Sequence, residues 1–180
     1  MNAMERHQEE WYAAVGRFSI AMGEIEWAGA QMLTFLRDLD EIVVRKQDFG
    51  SLIGTLKQEA QAQEGAFARG VEDCMPEADR LRQKRNSILH SGIRWLVGFE
   101  GIPDGSDVEV GPQFDLDQLI PRFESFVHDR KHPDERMQLQ DLQHHADSAK
   151  ALSERMWRIL VTEHSLRQQR LEAGASTAAG

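Results

Sequence analysis

Over its first forty residues the chain repeats an apolar or small side chain at alternating steps of four and three: Trp11, Val15, Phe18, Met22, Ile25, Gly29, Met32, Leu36 and Leu39. At about 100° per residue these positions fall on one side of an α-helix, so the spacing predicts a single long amphipathic helix whose seam other elements must cover. A second row, Gly16, Gly23 and Ala30, repeats every seven residues beside the seam. Small side chains there let another helix approach closely, either in the core, which is the favoured use, or at a subunit contact.

The rest of the chain supplies partners for that seam. After "RKQDFGSL" a short helix is predicted, capped by Asp48 or Ser51 and carrying Leu52, Ile53, Leu56 and Ala60, fading near Gly65. A further helical piece, 66–74, leads to Pro76, which suits the first turn of a third helix over about 77–90, with Gly92 placed for a left-handed C-terminal cap. The period then changes. "IRWLVGFEG" alternates Ile93, Trp95, Val97 and Phe99 against Arg94, Leu96 and Gly98, and "PDGSD" supplies turn chemistry before "VEV", which together predict a small hairpin over about 93–115. Leu119, Phe123, Phe126 and Val127 have helical spacing, so a helix is expected to start near Pro121. A last long helix is expected over 138–171 through Leu142, Ala146, Ala149, Leu152, Met156, Ile159 and Leu160, with a frayed, disordered tail over 172–180. The expectation is an all-α bundle of long up-and-down helices in one domain, 1–171, with a small β-hairpin insertion after the third helix.

Composition narrows the function classes. No run approaches the roughly 20 apolar residues that span a bilayer, and the start of the chain lacks the basic and apolar regions of a secretory signal, so a cytoplasmic protein is expected. Cys74 is the only cysteine, which allows no intramolecular disulfide and reads as a small packing residue. The net charge of −9 argues against a broad footprint on duplex nucleic acid, so any phosphate contact must be local. Charge is unevenly spread: 80–94 holds only basic charges and 100–117 only acidic ones, the latter read as a solvated face.

The basic stretch, "RLRQKRNSILHSGIRW", breaks a local rule. The apolar stripe through Leu81 and Ile88 passes through Arg85, where burial is wanted. A guanidinium there is expensive unless it is paired or receives an anion, and both readings are open, with Glu24 and Glu26 of the first helix as possible partners. Asn86 and His90 are four apart and share a face, whereas Arg85 and His90 diverge by roughly 140° around the axis. A loosened last turn, arginine's reach or a second copy of the helix would bring those two together.

"RNSILH", Arg85 to His90, resembles the motif of HEPN domains, in which an Arg followed by a polar residue, often Asn, precedes a His near the end of a helix. The following "SGIRW" is similar to members that leave this helix into a short strand. The resemblance implies an HEPN-like helical bundle that forms a homodimer and, in many members, a metal-independent endoribonuclease or toxin-like effector with no cofactor. It implies that His90 exchanges a proton with the ribose 2′-oxygen or the leaving 5′-oxygen, that Arg85 stabilises the scissile phosphate, and that Asn86 positions one of them. Arg80, Arg82, Lys84 and Arg94 would grip a few nucleotides of RNA. Members silenced by a partner nucleotidyltransferase carry a Tyr shortly after the His; here 91–95 is Ser, Gly, Ile, Arg and Trp. An antitoxin or other partner protein is a further expectation. The alternative is a non-catalytic HEPN module that binds RNA, a nucleotide or a protein through the same anion site, and a third reading is a helical interaction protein whose Arg85 is paired in the core. His128 with His132 and the pair His144–His145 read as solvated histidines and not as metal ligands.

Overall fold

The computed structural model describes residues 3–37, 47–91, 93–99, 121–128 and 136–178. Their order is α1 (Ala3–Arg37), α2 (Phe49–Gln61), α3 (Ala66–Ser91), β1 (Ile93–Phe99), β2 (Pro121–His128), β3 (Arg136–Met137) and α4 (Leu139–Ala178). The architecture is an all-α bundle with one small antiparallel sheet.

The α1 seam is buried as its spacing requires: Trp11, Met22, Ile25 and Met32 are fully covered and Phe18 nearly so, while Val15 and Leu36 pack at the margin. Leu39 lies outside the described residues. α4 runs parallel to α1, because its contacts advance in step: Phe18 meets His145, Glu24 meets Ser153, Trp27 meets Trp157, and Arg167 Nη2 donates to the Phe35 carbonyl at 2.8 Å. That arginine and Gln63, which donates to the Leu36 carbonyl at 2.9 Å, satisfy backbone acceptors that the end of α1 leaves open. α3 runs the other way, with Asp73 beside Arg155 and Gly70 against Ile159. The long helices thus alternate up and down.

α2 starts where the sequence indicates, with Asp48 in extended geometry as N-cap and its Oδ1 accepting from Ser51 N at 3.0 Å. It lies close on α1 because Gly29 has no side chain: a Cβ there would stand 3.3 Å from Leu56 and 3.4 Å from Leu52.

Four expectations are corrected. Pro76 does not begin a helix; it sits inside the continuous α3. Proline removes one backbone bond, to the Glu72 carbonyl, but Pro76 itself is exposed, and Cys74, Met75, Ala78 and Leu81 bury the stripe on both sides of the interruption completely. The segment from Pro121 is a strand, not a helix. β1 pairs with it antiparallel, Ile93 opposite Val127 through Phe99 opposite Pro121, and β3 adds to its far side. Proline is tolerated at the first residue of a strand, and an aromatic and β-branched segment takes whichever period a neighbouring ladder offers. The "PDGSD" turn, "VEV" and the acidic run lie outside the described residues, as does Gly92. The end of the chain is helical through Ala178 and not frayed from 172. Finally, Ala30 is buried in the core, but Gly16 and Gly23 are not: a Cβ added to either would meet nothing within 4 Å.

Candidate functional site

Arg85 stands on the stripe of α3 that carries Val71, Ala78 and Leu81, all fully buried, and Ile88. It is nevertheless one-third exposed, although Ile88 beyond it is buried again, and its Nη1 reaches Glu26 Oε2 of α1 at 3.7 Å. The pair crosses helices and both members are partly solvated, so the arginine is neither buried in the core nor without a carboxylate. Glu24, two residues earlier on α1, accepts from Ser153 Oγ at 3.0 Å instead.

Arg80 and Arg82 have partners one turn back on their own helix, and Lys84, between them and Arg85 in sequence, is half-buried. Arg80 forms a two-pronged contact with Glu77, Nε to Oε2 at 2.9 Å and Nη2 to Oε1 at 2.7 Å. Arg82 donates through Nε and Nη2 to Asp79 Oδ1 at 3.0 and 2.8 Å, and Gln83 donates to the other oxygen of that carboxylate. These hydrogen bonds, from Arg80 and Arg82 respectively, hold Glu77 and Asp79 below the usual carboxylate range. The acid-before-base spacing at i, i+3 was visible in "PEADRLR", just upstream of the run that looked free of carboxylates. Arg82 also extends over Gly50 at the start of α2. Asn86 is exposed. His90 is in the last turn of α3 and Arg94 is on β1; their side chains lie outside the described residues.

α4 adds a histidine that the sequence reading had assigned to solvent. His145 is half-buried beside Phe18, and its Nδ1 is buried with no hydrogen-bond partner among the described residues. Burial pushes its pKa down, and the charges of Arg80, Lys84 and His144 act in the same direction, against Asp141. Both effects favour the neutral ring of His145 beside the basic edge of α3. His144 is exposed, as expected. Among the described residues no three His, Cys, Asp or Glu side chains gather as a metal site.

A second polar centre lies at the junction of α1, β2 and α4. The indole N–H of Trp11 only donates, so Ser125 Oγ accepts from it, and the same oxygen pairs with His7 Nε2 at 2.6 Å in a direction set by the histidine's tautomer. The other nitrogen of His7, Nδ1, faces Glu10 Oε2 at 3.7 Å. Ser125 is buried between its two partners, which makes this constellation a latch that joins the sheet to α1. A cavity of about 290 Å³ adjoins it, with Arg136 stacked over the Phe126 ring at 4.6 Å on the other side. No sequence signal pointed to the latch, because Ser125 lies 114 positions from Trp11 and 118 from His7.

No family model, no curated protein and no solved structure matches the chain. Among the described residues no helix is long and apolar enough to cross a membrane.

Proposed function

We propose that the chain is an HEPN-type, metal-independent endoribonuclease or toxin-like effector, acting as a homodimer on RNA at the C-terminal end of α3. The observation that carries this reading is Arg85: a guanidinium on an apolar stripe, five residues before the histidine in the last turn of the helix, held among the described residues by a long contact to Glu26 at 3.7 Å. Such a loose, half-exposed pair contributes about 0–1 kcal/mol, so a phosphate oxygen can take the carboxylate's place with little loss of stability. Arg80 and Arg82, each clasped by an intrahelical carboxylate, add little net charge, which fits a site that grips a few nucleotides and not a duplex.

In the proposed reaction the RNA 2′-hydroxyl attacks the adjacent phosphorus, its proton passing to a histidine at the site. The 5′-oxygen leaves with a proton from a second donor, and the products are a 2′,3′-cyclic phosphate and a 5′-hydroxyl. His90 supplies proton transfer, Arg85 faces the charge that builds on the phosphate, and Asn86 orients one of them. A two-fold dimer supplies both an acid and a base, one His90 from each copy. The test is incubation of purified protein with RNA in chelator, with end-group analysis of the products. Cleavage should persist without metal, vanish in His90→Ala and be poor in Arg85→Lys, which replaces a planar fork with a point charge. Binding of RNA or a nucleotide with no cut products in any condition would select the non-catalytic module instead.

A further inference from the structure

Gly16 and Gly23 are on the side of α1 turned away from the bundle, and the space beside them is open. Tyr12 and Ile20 occupy the same side and are 64% and 68% exposed, and Trp27, 39% exposed, lies at its end with one part of its ring against Trp157 of α4. At about 100° per residue all five positions fall within roughly 80° of arc, nearly opposite the buried seam. A glycine inside a helix costs roughly 1 kcal/mol against alanine, and among the described residues nothing packs against either position closely enough to call for one. A second helix lying close against this face does.

We propose that a second copy of this chain docks here, its α1 antiparallel to the first, about a two-fold axis that crosses α1 between Ser19 and Ile20. Two features select this occupant. The first is positional symmetry: Tyr12 and Trp27 are equally far from that point, and so are Gly16 and Gly23. An antiparallel copy therefore sets the ring at each end of the stripe opposite the ring at the other end, and its bulky side chains above the glycine gaps, as an isologous contact demands. The second is charge. Arg17 and Glu24 are exposed on one flank of the stripe, and Glu26 lies on the other. About this axis like flanks meet, so Arg17 of each copy comes within two residues, about 3 Å of helix rise, of Glu24 of the other. A parallel pairing would instead turn the Glu24 flank toward the Glu26 flank, carboxylate against carboxylate.

The same axis places both α3 helices on one side of the dimer. α3 passes Phe35 of α1 with Phe67 and Glu26 with Arg85, so its last turn heads toward the middle of α1, where the axis runs. This names the assembly that the ribonuclease reading uses, but it stands on α1 alone and is measured without RNA.

The full chain at tens of micromolar should sediment as a dimer, whereas Gly23→Leu should remain folded and weaken association by about tenfold or more, since the leucine fits open space in one copy but overpacks the pair. Arg17→Glu should weaken it as well, and Arg17→Glu combined with Glu24→Arg should restore it. Under mild oxidation Ile20→Cys, next to the axis, should form a covalent dimer, and Tyr12→Cys, far from its own mate, should not; Cys74 is buried and does not interfere. A monomeric wild type, a Gly23→Leu chain that dimerises as well as wild type, or crosslinking of Tyr12→Cys as fast as Ile20→Cys would each overturn the proposal. A dimer that cuts no RNA leaves it standing and sinks the ribonuclease reading; metal-free cutting by a dimer that Gly23→Leu and Arg17→Glu do not weaken does the reverse.

Discussion

Leu81 and Arg85 occupy the same stripe of α3, one turn apart, and meet different surroundings. Leu81 is fully enclosed by the bundle, whereas Arg85 is one-third exposed and faces a carboxylate across a gap between helices. A helical stripe thus specifies a direction, and the neighbouring helices decide which positions along it are closed: Ile88, beyond Arg85 on the same stripe, is buried again. At a half-open position a charged residue keeps its head group in water and becomes available for an anion.

That contrast can be broken most sharply by truncation. Leu81→Ala should lower unfolding free energy by about 2–5 kcal/mol, the range for a leucine removed from a closed core, while Arg85→Ala should cost no more than about 1 kcal/mol. Urea denaturation of both variants measures the difference, and equal losses would mean that Arg85 is a core pairing after all. The latch ranks next. Ser125→Ala leaves the buried Trp11 N–H without its acceptor and should cost about 1–3 kcal/mol, visible in thermal unfolding and in tryptophan emission.

A smaller and more specific effect is expected from the carboxylates. Glu26→Gln should change stability by less than about 1 kcal/mol but tighten binding of a short RNA several-fold in fluorescence anisotropy, because it removes the competitor for Arg85. Glu77→Gln, at the intrahelical Arg80 pair, should have a weaker effect on the same titration. No change in either variant would detach Arg85 from RNA binding.

The smallest effect is in pH. Burial holds the folded-state pKa of His145 below its unfolded value of about 6.5, so as pH falls through that value the unfolded chain takes up a proton that the folded chain does not. Stability should therefore begin to decline below about pH 6.5 and go on declining until the folded-state pKa is reached. Glu77 and Asp79, both lowered by their arginines, keep their contribution above the ordinary carboxylate range and lose it only at lower pH. His145→Gln should remove the first step of the acid profile and leave the second; an unchanged profile would refute this assignment.

Much of the site was legible. The misfit of Arg85 on an apolar stripe is a statement about angular spacing within one helix, and so are the Glu77–Arg80 and Asp79–Arg82 pairs, whose carboxylates stand just before the basic run 80–94. Glu26 was one of two candidates for Arg85, and spacing alone had no means of choosing it over Glu24, because that choice depends on which helix packs on which side of α1. The half-burial of His145 was hidden for the same reason. The helix expected near Pro121 failed because Phe123, Phe126 and Val127 satisfy either period, and only the presence of β1 decides between them.

By itself the sequence determined α1, α2 and α4, their buried stripes and the cap at Asp48, since each follows from residues a few positions apart acting through fixed backbone geometry, whereas the unbroken α3 and the strand from Pro121 needed their neighbours. Tertiary structure alone decided that α1 and α4 run parallel, that Trp11 and His7 close on Ser125, that Glu26 meets Arg85, and that Gly16 and Gly23 face outward. Those outcomes depend on contacts between distant segments. A helix repeats its pattern whatever covers it, so the covering can be read only once the chain has folded.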